Sequence, residues 1–288
     1  MDTILALNYT LEKPGPYRFV IGLLIILLNF SAGLVFLNVS PLTPHIMDEY
    51  QVSRATVGLL VGCILLSSAL SSIPFTLLVG KIKTNTLVLI LSVTCCAPIL
   101  SLWTSNFATL LLLRTCFGIS IGGLFPTLAP VMMRWFPKNE LPLINGAAIA
   151  AVSGGIAISF LTGEHLNALV GWRMTLSVFS SISLLSAILW FLLSGPDEIA
   201  TSSGLSITGI RSVIRSKVTL LLAFGDTGAL LQYVALSAWL PTYYFERHGM
   251  SLAEASSKTA ILPICGLLIV VAGGFLSLRI KSRKPFMF

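Results

Sequence analysis

Two ionisable side chains stand inside long apolar runs of this chain: Arg114 in LLLLRTCFGISIGG and Asp226 in LLLAFGDTGALLQ. A guanidinium away from water attracts an anion or ties chain segments together. A carboxylate there has its neutral form favoured by desolvation and can load and release a proton. At such depth a charge costs at least ~2.5–3.5 kcal/mol unless it meets a partner or a water-filled path. Arg114 therefore reads as an attractor for an anionic substrate or an outer latch, and Asp226 as a coupling site. The alternative for each is a packing anchor bonded to a neighbouring helix. Asn29 and Gln232 are polar residues in similar surroundings, either solute contacts or interhelical hydrogen bonds.

The other reactive residue types form no constellation. Cys63, Cys95, Cys96, Cys116 and Cys265 all lie in apolar runs without CxxC or Cys/His metal spacing, and read as small buried hydrophobes. His45, His165 and His248 are scattered in or near loops. No P-loop, GxSxG, HExxH or catalytic carboxylate pair occurs. The expectation is no enzyme, no metal and no cofactor. The glycosylation patterns at Asn8 and Asn38 read as coincidence.

These residues must be positioned by elements suited to lipid. The chain is 55% hydrophobic and only 10% charged, against roughly 25% charged in soluble domains. Its long apolar runs have the length that a helix rising about 1.5 Å per residue needs to cross a ~30 Å hydrocarbon core. Only internally bonded backbone survives there, so the runs are helices. Eight are expected, near 18–39, 57–79, 86–104, 107–130, 141–163, 173–194, 217–240 and 256–277. Arg114 then sits about 10 Å inside the outer end of the fourth, and Asp226 about 13 Å inside the inner start of the seventh.

Basic residues resist translocation. With the N-terminus inside, thirteen of the 18 Lys and Arg fall in cytoplasmic segments, four outside, and Arg114 within a span. Both termini are thus expected in the cytoplasm, with the loops at 40–56 and 241–255 outside. All five tryptophans fall near span ends, where headgroups suit an indole. The net charge of +7 is explained by this topology, and no nucleic-acid partner is implied.

Small residues mark helix contacts. Gly118 and Gly122 share a face with Arg114, and Gly146, Ala150, Ser153, Gly154 and Ala157 form a stripe on the fifth span. The cluster Ser67, Ser68, Ser71 and Ser72 on the second span suits packing against such a stripe, because helices in lipid associate through close backbone contact. The chain also repeats itself. PLTPHIMDEYQVSRATVGLL after the first span and LPTYYFERHGMSLAEASSKTAIL after the seventh correspond at an offset of 198 residues, with Ser53 and Ser251 as candidate N-caps.

A parallel duplication with six spans per unit suits carriers that bind solute between two halves. At these residues the chain resembles the major facilitator superfamily: the Gly80 turn with Lys81 and Lys83, the Arg114 to Gly118 run with Gly122 and Gly123, the Gly146 to Gly155 stretch, Gly171-Trp172-Arg173, and Trp239-Leu-Pro241. The look is nearest to the cyanate-permease and nitroimidazole-efflux types, over residues 15 to 288. The turn after the second span lacks the family's aspartate. After the eighth, Arg279 and Arg283 keep the basic half of that pattern, and Leu278 stands where an acid is common. The fifth-span motif lacks its proline.

The resemblance implies an all-α membrane protein, a major-facilitator-type bundle in the cell membrane. It implies alternating access for a small organic solute or anion, with spans one, four, seven and ten lining the cavity and a proton as the candidate coupling ion. Gly118, Gly122, Gly146, Gly154, Gly155, Gly80, Arg279 and Arg283 take packing and gating places. The organisation is a six-helix half at 1–194, a cytoplasmic linker at 195–216, and 217–288 opening a second half. On the repeat, about four more spans and roughly 400 residues complete such a carrier. The expectation is that this chain is C-terminally incomplete. The alternative function is a non-transporting scaffold or relic.

Overall fold

A computed structural model describes residues 15–196 and 215–279. Arg283, the Asn8 pattern and linker residues 197–214 lie outside the described residues. Among the described residues eight helices are long and apolar enough to cross a membrane: Arg18–Phe36, Arg54–Leu78, Thr84–Trp103, Phe107–Trp135, Leu141–Val170, Trp172–Leu193, Lys217–His248 and Leu252–Gly274. They are called the first to eighth spans below.

Prolines shape several of them. The third is α-helical over Thr84–Cys95 and tightens into a 3-10 turn over Ala97–Trp103, where Pro98 interrupts the ladder. The eighth breaks after Thr259 and resumes as Ile261–Arg279, because the Pro263 ring opposes the carbonyl four residues earlier. Two segments read as outer loops are largely helical. Thr43–Tyr50 forms a short helix within 40–56. The seventh span runs through Pro241 to His248, leaving only residues 249–251 before the next helix.

The first span is the hub. It packs against the fifth and sixth, while the second packs against the fourth, and the third against the fourth and sixth. Ile21, Leu24, Ile25 and Leu28 of the first span join Leu87, Leu91, Leu124, Leu128 and Trp190 in one buried cluster. The eighth span lies along the fifth. The seventh is mostly uncovered, and every residue from 220 to 232 is exposed.

The internal repeat is visible atom by atom at the helix joints. Ser53 and Ser251 each accept a hydrogen bond from the backbone N–H three residues on, at Thr56 and Glu254. Two residues earlier, Gln51 and Gly249 both take a left-handed conformation, φ 51° and 62°. Only glycine adopts it without steric cost. Gln51 is partly compensated by the bond from its Nε2 to the Asp48 carbonyl, 2.6 Å.

Candidate functional site

Arg114 is fully buried. Its Nη1 donates to the Val35 carbonyl and its Nη2 to Asn38 Oδ1, both at 2.8 Å. Val35 lies in the last turn of the first span, whose final carbonyls have no helical donor. The guanidinium therefore caps that helix and sets a positive charge on the negative end of its dipole. Arg114 Nε and Asn38 Nδ2 are left without partners. The arrangement holds the fourth span to the exit of the first, and gives the guanidinium no exposed surface. Asn38 is itself fully buried, so its glycosylation pattern is out of reach.

The other sequence candidates are not gathered around it. Asn29 is buried and donates to the Ile25 carbonyl of its own helix at 2.8 Å. Asp226 and Gln232 are exposed on the seventh span, and Asp226 lies towards the end opposite Arg114. Along the 198-residue offset they correspond to Leu28 and Leu34, both buried within the first six spans.

The glycines mark close approaches. Gly118 faces Ser67 and the Ile64 carbonyl, with 2.6 Å between that oxygen and the place of a Cβ. Gly122 faces Ser71 and the Ser68 carbonyl, and Ser71 Oγ donates across this seam to the Ile119 carbonyl at 3.0 Å. Gly155 meets the backbone of the first span at Phe30 and Leu34. On the other side of the fifth span, Gly146 and Gly154 meet Val270 and Leu267 of the eighth. Gly80 makes a turn at φ 92°, and Arg279 closes the last helix.

Two networks that the motifs did not reveal lie at the end opposite Arg18, where the first span begins. Glu49 of the short helix pairs with Arg173 at the start of the sixth span. It also accepts from Trp172 Nε1 at 2.5 Å, and Arg173 Nε donates to the Thr104 carbonyl at 3.1 Å. Burial pushes the Glu49 carboxyl up, but the hydrogen bonds from Arg173 and Trp172 outweigh it and hold the group below its ordinary value. Beside it, His45 lies 3.1 Å from Glu164, which raises the imidazole above its usual range against the opposing effect of burial. The second network joins the seventh span to the first two. Ser40 Oγ reaches the carbonyls of Ser237 and Ala238, 2.8 and 2.6 Å away, and Arg54 Nη2 donates to Glu246 Oε2 at 2.7 Å.

Towards the other end, an open cavity of about 490 Å³ lies between the first and fifth spans, lined by Phe19, Leu23, Ile26, Leu143, Ile144 and Ala147 among others. Glu140, also in its lining, pairs with Arg18 at 3.3 Å. Among the described residues no cluster of His, Cys, Asp and Glu suits a metal.

A family model, Major Facilitator Superfamily, matches residues 25–288. The hexuronate transporter of Bacillus subtilis (strain 168) is 25% identical, over 92% of this chain and 67% of its own length. The nitrite extrusion protein of the same organism is 24% identical, over 91% of this chain and 66% of its own. The solved structure of a bacterial homolog to the human lysosomal transporter Spinster, inward-facing and occupied, aligns with a TM-score of 0.69 at 20% identity, over 93% of this chain and 63% of that one. A D-xylose-proton symporter aligns with a TM-score of 0.63 at 19% identity, over 93% of this chain and 71% of that one. The chain thus spans about two thirds of the length of these relatives.

Proposed function

The chain belongs to the Major Facilitator Superfamily, and on that premise we propose that it is, or forms part of, a secondary transporter that moves a small organic solute across the cell membrane by alternating access. The observation that carries this reading is an asymmetry between its two ends. At one end the seventh span is tied to the first and second through Ser40 and Arg54. At the other, residues 220–232 are uncovered and an apolar cavity opens between the first and fifth spans. A carrier closed on one side and open on the other has this form. With the termini in the cytoplasm, the closed end is outside and the conformation faces inward, as the Spinster homolog does in its solved structure.

Between a neutral solute and an anion, the cavity favours the neutral one, because Arg114 is enclosed and the lining is apolar. Asp226 remains the candidate for proton coupling, since an ionisable side chain within a membrane-spanning segment is by default a functional candidate. One observation supports the scaffold alternative: a seventh span bare on all sides over residues 220–232 presents a surface for another membrane segment.

Proteoliposomes loaded with a panel of sugar acids, nucleosides and small neutral solutes provide the test. For the carrier that the chain is, or forms part of, reconstituted whole, the expected result is saturable counterflow of at least one solute, with Asp226→Asn abolishing its dependence on a pH gradient. Absence of saturable flux across the panel favours the scaffold.

A further inference from the structure

We propose that Ser40, Pro241, Arg54 and Glu246 are the residues that hold the outer end closed, with Pro241 freeing the Ser237 carbonyl as an acceptor that Ser40 satisfies in the closed state and water in the open one. The inference rests on the transport reading above and identifies its outer gate.

Proline has no backbone N–H, so within a helix it leaves the carbonyl four residues earlier without its usual donor. In the seventh span that carbonyl belongs to Ser237, because Pro241 lies inside the continuous helix Lys217–His248. Ser40, buried at the exit of the first span, brings its hydroxyl to within 2.8 Å of this oxygen and 2.6 Å of the Ala238 oxygen, so that its one proton is shared between them. A buried carbonyl without a partner is costly and a neutral bond gains little beyond satisfying it. The bond is therefore worth most when water is excluded, which is when the halves touch. Once the end opens, water replaces Ser40 at the Ser237 oxygen, so separation carries no large penalty. A gate needs this property.

Two further contacts flank the serine. Trp239 lies over Gly58 of the second span, where a Cβ would come within 3.2 Å of the indole. Arg54 Nη2 meets Glu246 Oε2 at 2.7 Å, with side-chain exposures of 63% and 32%. An ion pair this exposed is weak and screened by salt. It biases the closed state without locking it. The repeat does not duplicate the pair. Asp48 occupies the place of Glu246, but Leu252 stands in the place of Arg54.

Thr43 provides a reporter, because it is buried and lines a small cavity bounded by Val39, Gly58, Ala238 and Trp239. Thr43→Cys is introduced into the chain in native membranes. Its labelling rate by an impermeant maleimide from the outside is measured against the parent chain. Arg54→Glu is expected to raise that rate about two- to five-fold, the scale of an exposed ion pair, with high salt reducing the difference. The charge swap Arg54→Glu with Glu246→Arg restores the slow rate. Ser40→Ala and Pro241→Ala each raise it as well, the second because the N–H that alanine restores takes the Ser237 carbonyl. Together they raise it by less than the product of their separate effects, since both remove one bond. Unchanged labelling in Arg54→Glu, failure of the swap to restore it, or multiplicative effects of Ser40→Ala and Pro241→Ala would each overturn the gate. The labelling needs no substrate, so a chain that responds as described yet carries no solute refutes the transport reading alone.

Discussion

Arg114 stands between two functions that a buried guanidinium serves, binding an anion or fastening a helix end, and its geometry supports the fastening. Arg114→Ala leaves the Val35 carbonyl and Asn38 Oδ1 buried without donors. Each such group costs roughly 1–3 kcal/mol, so we expect a loss of about 2–5 kcal/mol in unfolding measured in detergent. Arg114→Lys, a single ammonium with less reach, falls between. An alanine variant as stable as the parent contradicts the capping role. The depth of this charge was legible from the chain alone, since four leucines precede it. Its partners were not. A carbonyl at a helix end is supplied by where the helix stops, and no residue type announces it. Asn38 was legible only as a glycosylation pattern, in a place where burial gives it different work. Asp226 was equally visible as a charge in an apolar run, but its surroundings depend on which segments cover the seventh span.

Helices in this protein meet through missing side chains. The second and fourth spans approach so closely at Gly118 that a larger residue collides with the Ile64 backbone, which cannot rotate away. Gly118→Leu is therefore expected to destabilise by about 1–3 kcal/mol or more. Gly62→Leu, on the same second span but with nothing within 4 Å, should cost nothing measurable. Thermal unfolding of the two variants side by side checks this, and equal losses would refute the seam. The two stripes that meet here, serines on one helix and glycines on the other, were readable because spacing by four fixes a shared face. Helix ends were harder. Pro241 reads as a terminus by backbone propensity, yet the seventh span continues to His248, and the carbonyl that the proline releases lies 2.8 Å from the Ser40 hydroxyl. The Thr43–Tyr50 helix was missed because eight residues of mixed polarity, opening on Thr43-Pro44, carry too short a period to register.

At the scale of the whole molecule, the excess of basic residues in alternate loops predicts that Ser53 faces the outside and Ser202 the cytoplasm. Cysteines at these positions in intact cells should label with an impermeant reagent at 53 and not at 202; the reverse pattern would invert the topology and with it the side on which the gate lies. One seam contact bears on the symmetry of the repeat. Ser40 touches Ala238, and these two residues occupy the same position in the repeat, 198 apart. Matching points of two related bodies meet only where the rotation that relates them has its axis. In a symmetric pair of identical subunits this position would touch its own copy, and every substitution there would act on both sides at once. Two halves in one chain are free of that constraint. One copy now carries a hydroxyl and the other a methyl group, with a proline three residues further on. The Ser40 hydroxyl now meets a main-chain carbonyl across that axis from one side only, where two identical subunits would have made the contact twice or not at all.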